Sequence, residues 1–168
     1  MILKNSLRIA LIIVIIVLNI GCDQISKEIV RKSVKEYENI PLINGYFTLT
    51  RIENSGAFLS LGDTLPDLLR FILLTFIPIL VLAGGLVFLF LKKELSQLLV
   101  IGFSFVIGGG IGNLYDRILY GSVTDFFHMN FVIFQTGIFN MADVSIMVGM
   151  GLVILESLLK KKTATDNA

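Results

Sequence analysis

Two short stretches hold most of the residues able to do chemistry: GGGIGNLYDRILYGSVTD, from Gly108 to Asp125, and FNMAD, from Phe139 to Asp143. They place Asn113, Asp116, Arg117, Asp125, Asn140 and Asp143 at or near the ends of strongly apolar segments, where ionisable groups are costly and are functional candidates by default. Asn140 and Asp143 are three residues apart and project from one face of a helix; Asp125 lies in the segment just before it. Two carboxylates that meet in a partly dry site repel each other and lose hydration, which raises one pKa so that the pair holds one proton near neutral pH. Such a pair suits peptide hydrolysis. The ionised partner takes a proton from water, while the protonated partner polarises the scissile carbonyl and later supplies the leaving amine. The same spacing also fits a structural role, with Asp143 an N-terminal charge favoured by the helix dipole and Asp125 a solvated loop residue. Spacing alone leaves both readings open.

The neighbouring polar residues divide in the same way. Asn113 and Arg117 are four apart and share a helical face, which suits an arginine held near a carboxylate or a lipid phosphate, or a plain interfacial anchor. Asp23 and Lys27, also four apart, read as an intrahelical ion pair at the membrane interface or as a substrate contact. Asn54-Ser55-Gly56-Ala57-Phe58 reads as a turn with a small-residue window, and His128, the single histidine, as structural. Asp116 reads as a structural partner. Other hydrolytic chemistries lack their residues: there is no HExxH for a zinc protease, no GxSG with a partner histidine, and Gly121-Ser122-Val123-Thr124-Asp125 is not a GxGD motif. No metal and no cofactor is expected.

What must position these residues follows from the solvent. With 55% hydrophobic and 16% charged residues and a mean hydropathy of +0.85, the chain reads as an integral membrane protein. A net charge of +1 gives no polyanion-binding signature, so nucleic acid is not an expected partner. The predicted fold is membrane α-helical, one domain over residues 1–168, with transmembrane helices near 8–26, 68–91, 95–115 and 138–159. A small extramembrane β-sheet region at 28–67 sits between helices 1 and 2, marked by Pro41, the Asn44-Gly45 turn signal and the β-like run Tyr46 to Ile52. An exterior loop is expected at 116–137. The first run reads as an uncleaved helix in preference to a signal peptide ending at Cys22, because three further apolar spans follow it. Lys4, Arg8, Lys92, Lys93 and Lys160 to Lys162 fall on one side of a four-span arrangement, which predicts both termini cytoplasmic and the carboxylates near the outer interface.

With these residues in view the chain resembles the lipoprotein signal peptidases, the bacterial signal peptidase II family. Four blocks match in order over nearly the whole chain: Asp23-Gln-Ile-Ser-Lys27, Asn54-Ser-Gly-Ala57, GGGIGNLYDR followed by Val123-Thr-Asp-Phe126, and Phe139-Asn-Met-Ala-Asp143. The resemblance implies a four-helix bundle with a small exterior β-sheet cradle in the bacterial inner membrane. It implies an aspartyl endopeptidase without metal that cuts the signal peptide from a prolipoprotein just before the lipid-modified cysteine. The implied dyad is Asp125 and Asp143, with Asp23, Lys27, Asn54, Gly56, Gly109, Asn113, Arg117 and Asn140 around the site; the implied partners are lipid-modified prolipoprotein signal peptides and membrane lipids. Gln135-Thr136-Gly137-Ile138 and Phe58 depart from the usual pattern at positions that shape the loop and substrate fit. A small transport or proton-relay protein using intramembrane carboxylates is the alternative from another class.

Overall fold

The computed structural model describes residues 5–43, 45–57, 61–131 and 133–166. The expectations that rest on Lys4, Asn44, Phe58 and the side chains of Lys161 and Lys162 lie outside these residues. Four helices are long and apolar enough to cross a membrane: α1 (Asn5–Ser33), α2 (Asp67–Leu91), α3 (Gln97–Tyr120) and α4 (Met141–Asp166), of which Met141–Lys160 is the spanning part. Four strands, β1 (Asn39–Ile43), β2 (Phe47–Asn54), β3 (Val123–Phe131) and β4 (Phe134–Phe139), form one antiparallel sheet in the order β1-β2-β3-β4. The expected membrane bundle with a small sheet is therefore what the chain forms.

The boundaries differ from the predicted ones in three places, each for a physical reason. Residues 116–137 are not a loop: Asp116 to Tyr120 complete the last turn of α3, and the remainder is the β3–β4 hairpin. The aromatic, β-branched run VTDFFHMNF pairs with β2 some seventy residues earlier, a non-local partner that no local pattern reveals. The fourth helix starts at Met141 instead of 138, because Ile138 and Phe139 are apolar strand residues that hydropathy merges with the helix behind them. The first helix runs on to Ser33, so Glu28 to Ser33 belong to α1 and not to the sheet region. At about 1.5 Å per residue its 29 residues exceed a hydrocarbon core of about 30 Å. The overhang meets the sheet, where Val30 and Val34 pack with Phe126.

The helices are built inside out relative to a soluble bundle. On α1 the buried residues are Arg8, Ile12, Ile16, Asn19, Asp23, Lys27 and Val30, so the charges line the inward face, while Leu7, Val14, Val17, Leu18, Ile25 and Ile29 are exposed. In a bilayer this pattern is favourable, since lipid solvates the apolar side and the polar groups pair inside. Arg8 donates to the carbonyl oxygens of Leu89 and Lys92 at 2.7 Å each, closing the C-terminal end of α2. Within α2, Ile72–Phe76 forms a π-helical turn just ahead of Pro78, whose missing N–H interrupts the regular ladder. The α3 and α4 backbones come together through small residues: a Cβ on Gly102 would lie 2.9 Å from the Gly149 carbonyl oxygen, and one on Gly109 would strike the Ala142 carbonyl.

Candidate active site

The site forms where three chain ends converge: the last turns of α3, the start of β3 and the start of α4. Gly121, in the left-handed region at φ 73°, ends α3 with its N–H on the Arg117 carbonyl oxygen and turns the chain straight into β3. Along β3 side chains alternate, so Phe126 faces the core beneath the sheet while Val123 and Asp125 face a cleft. Asn54 pairs in register with Val123, which puts its side chain diagonally across from Asp125.

Asn140 joins the two carboxyl groups. It caps α4: its Oδ1 accepts from the Asp143 N–H at 3.0 Å, and the Asp143 carboxylate accepts the Asn140 backbone N–H at 3.1 Å. That reciprocal exchange is a capping box, with Asn and Asp in place of the usual Ser and Glu. The Asn140 amide then donates to Asp125 Oδ1 at 2.6 Å and to Asn113 Oδ1 at 3.1 Å, which uses both of its hydrogens. Asp143 Oδ1 accepts from Asn113 at 2.9 Å, and Asp125 Oδ2 from Asn54 at 2.9 Å. Burial pushes the Asp125 carboxyl up to about 6; the hydrogen bonds from Asn54 and Asn140 oppose the rise, and the Asp143 charge adds to it.

Arg117 and Gly56 close one side. Gly56 donates its N–H to Asn54 Oδ1 at 3.0 Å and accepts Arg117 on its carbonyl oxygen at 2.9 Å. Asn54, Ala57, Asn113, Arg117, Val123, Asp125, Ile138, Asn140 and Asp143 enclose a cavity of about 60 Å³. That volume holds water molecules. Gly109 is absent from this wall and serves as the close contact between α3 and α4.

Asp23 and Lys27 lie one layer beneath, fully buried. The Lys27 ammonium reaches Asp23 at 2.8 Å, Asp116 at 3.0 Å and Asn113 Oδ1 at 3.0 Å. The expected intrahelical ion pair of Asp23 and Lys27 is present, buried inside the bundle, and its third member is Asp116. Arg31 adds a further contact, 2.9 Å from Asp116 and 2.8 Å from Thr124 Oγ1. Arg31, Thr124 and Glu53, which accepts from Thr124 Oγ1 at 3.1 Å, were not among the expected residues. One signal for Arg31 exists in the sequence, because Asn19, Asp23, Lys27 and Arg31 recur every four residues along α1.

A family model, signal peptidase (SPase) II, matches residues 14–159. The chain belongs to the signal peptidase II family. Among curated relatives, a lipoprotein signal peptidase of Clostridium acetobutylicum is 32% identical over 88% of this chain and 94% of its own. One of Streptococcus pneumoniae is 34% identical over 91% and 95%. A bacterial membrane enzyme solved by the in meso method at 2.3 Å resolution superposes with a TM-score of 0.79 at 28% identity, covering 91% of this chain and 90% of the other. Membership of the signal peptidase II family makes the chain a multi-pass membrane peptidase and weighs against the transport or proton-relay alternative.

Proposed function

We propose that Asp125 and Asp143 are the catalytic carboxylates with which this signal peptidase II removes the signal peptide of a lipid-modified prolipoprotein, cutting before the lipidated cysteine. The observation that supports the pairing is Asn140, whose side chain and backbone hold one carboxyl each. Asp125, 5% exposed, keeps the shared proton, because burial favours the neutral carboxyl. Asp143 takes a proton from a water in the cavity as the water oxygen bonds to the scissile carbon. Asp125 gives its proton to the carbonyl oxygen; as the C–N bond breaks, Asp143 passes its proton to the leaving nitrogen and Asp125 takes one back from a hydroxyl of the tetrahedral species, which restores the starting pair. Asn54, Asn113 and Gly56 hold the site's shape, and Arg117, whose Nε has no hydrogen-bond partner among the described residues, offers a donor toward the substrate backbone.

In this proposal the enzyme lies in the bacterial inner membrane with both termini in the cytoplasm and the dyad near the outer face, following the basic residues Arg8, Lys92, Lys93 and Lys160. The test is cleavage of a lipid-modified prolipoprotein by the detergent-purified protein. Asp125→Asn and Asp143→Asn are each expected to abolish it, and cleavage surviving in either variant would sink the dyad. Activity is expected to persist in strong chelator, as described residues include no trio of His, Cys, Asp or Glu placed to hold a metal ion.

A further inference from the structure

Lys27 is fully buried, so its function cannot be contact with a substrate. An ammonium has three N–H groups, and all three are engaged, on Asp23, Asp116 and Asn113. Each acceptor leads one step further, to a residue at the dyad. Asp23 Oδ1 accepts the N–H of Ala142 at 2.9 Å, immediately before Asp143. Asp116 Oδ2 accepts the N–H of Thr124 at 3.3 Å, immediately before Asp125. Asn113 donates from its Nδ2 to Asp143 itself.

The third path carries chemical information as well as position. An ammonium can only donate, so it must face the oxygen of the Asn113 amide, and the NH2 group is thereby turned toward Asp143. Asn140 donates to the same oxygen at 3.1 Å, so with Lys27 gone the amide loses one of the two donors that hold it in this orientation. Charges balance around the same point: Lys27 and Arg31 against Asp23 and Asp116.

We infer that Lys27 is a positioning residue of the active site, a buried three-point tie that sets the spacing of Asp125 and Asp143 and, with Asn140, orients the Asn113 amide as a donor to Asp143. Lys27 acts through these groups and touches neither the water nor the peptide. This rests on the dyad proposed above.

Three variants test it in the full-length, detergent-purified protein with a lipid-modified prolipoprotein substrate. Lys27→Arg keeps the charge but its planar fork cannot meet three acceptors arranged around a point. It is expected to retain the thermal midpoint while kcat falls about 10²-fold, the loss that follows a misplacement of about 1 Å, with KM little changed. Lys27→Met is expected to lose kcat and to move the upper limb of the pH–rate profile upward. The lysine charge favours ionised Asp125, and Asp23, Arg31, Asp116, Arg117 and Asp143 remain as they were. Should Lys27→Met fail to fold, Lys27→Met/Asp116→Asn rebalances the buried charge and is expected to fold yet stay slow. A Lys27→Arg enzyme with wild-type kcat, or a double variant that regains it, would overturn the inference while leaving the dyad intact. Cleavage that survives Asp125→Asn or Asp143→Asn removes the dyad instead, so the two failures are distinguishable.

Discussion

At the scale of single residues, the site depends on amides more than on charges. Asn140 engages its amide hydrogens, its side-chain oxygen and its backbone N–H at once, and it bonds both carboxyl groups. Asn140→Ala is expected to lower kcat by about 10²-fold through misplacement of the dyad and to cost about 1 kcal/mol as a lost helix cap. Kinetics and a thermal melt on the same preparation separate the two effects. The pH dependence follows from Asp125. A raised pKa means the proton is retained to higher pH, so in the free enzyme the singly protonated pair persists up to about 6 and is lost as pH rises through that value. Since kcat/KM reports the free enzyme, its upper limb is expected to break near there. Asn54→Ala removes a hydrogen bond that favours the ionised carboxyl, so the break should move higher; a fixed or falling break would refute the assignment of the proton to Asp125.

At the scale of elements, the glycines of α3 decide how closely α4 approaches, and so where Asp143 sits. Gly109→Ala would drive a Cβ into the Ala142 carbonyl, whereas at Gly84 on α2 the added carbon meets nothing within 4 Å. Overpacking of this kind typically costs about 1–3 kcal/mol. Gly109→Ala is therefore expected to lower both the melting midpoint and kcat, with Gly84→Ala close to wild type in both. Equal behaviour of the two variants would show that the α3–α4 contact does not govern the site. Gly109 thus bears on the site through the α3–α4 contact, which a motif match alone does not specify.

At the scale of the molecule, the sheet and the α2–α3 connection should lie on opposite sides of the membrane. Cys22 is the one native cysteine. In a Cys22→Ser background, Tyr46→Cys in the β1–β2 turn is expected to react with an impermeant thiol reagent added outside the cell, and Lys93→Cys only after permeabilisation. Both positions are exposed in the fold, so the same labelling of both would contradict the proposed orientation.

The solvent and the four spans were legible in the sequence because apolar content summed over about 20 residues is a local quantity that a bilayer reads directly. The motif blocks likewise pointed to Asp125 and Asp143 through the types and order of their residues. Hydropathy, however, carries no direction: it could not show that Asp23, Lys27 and Asp116 turn inward to meet one another, nor that Ile138 and Phe139 end a strand before Asn140 begins a helix. Only the tertiary structure made the 116–137 segment half of a sheet, raised Asp116 from a structural partner to the bridge between α1 and β3, and set Gly109 between helices. These outcomes depend on contacts between distant parts of the chain. The Asp23 to Ala142 hydrogen bond, for example, spans 119 residues. Such contacts are decided by the joint need of every buried polar group to find a partner where neither lipid nor water can supply one.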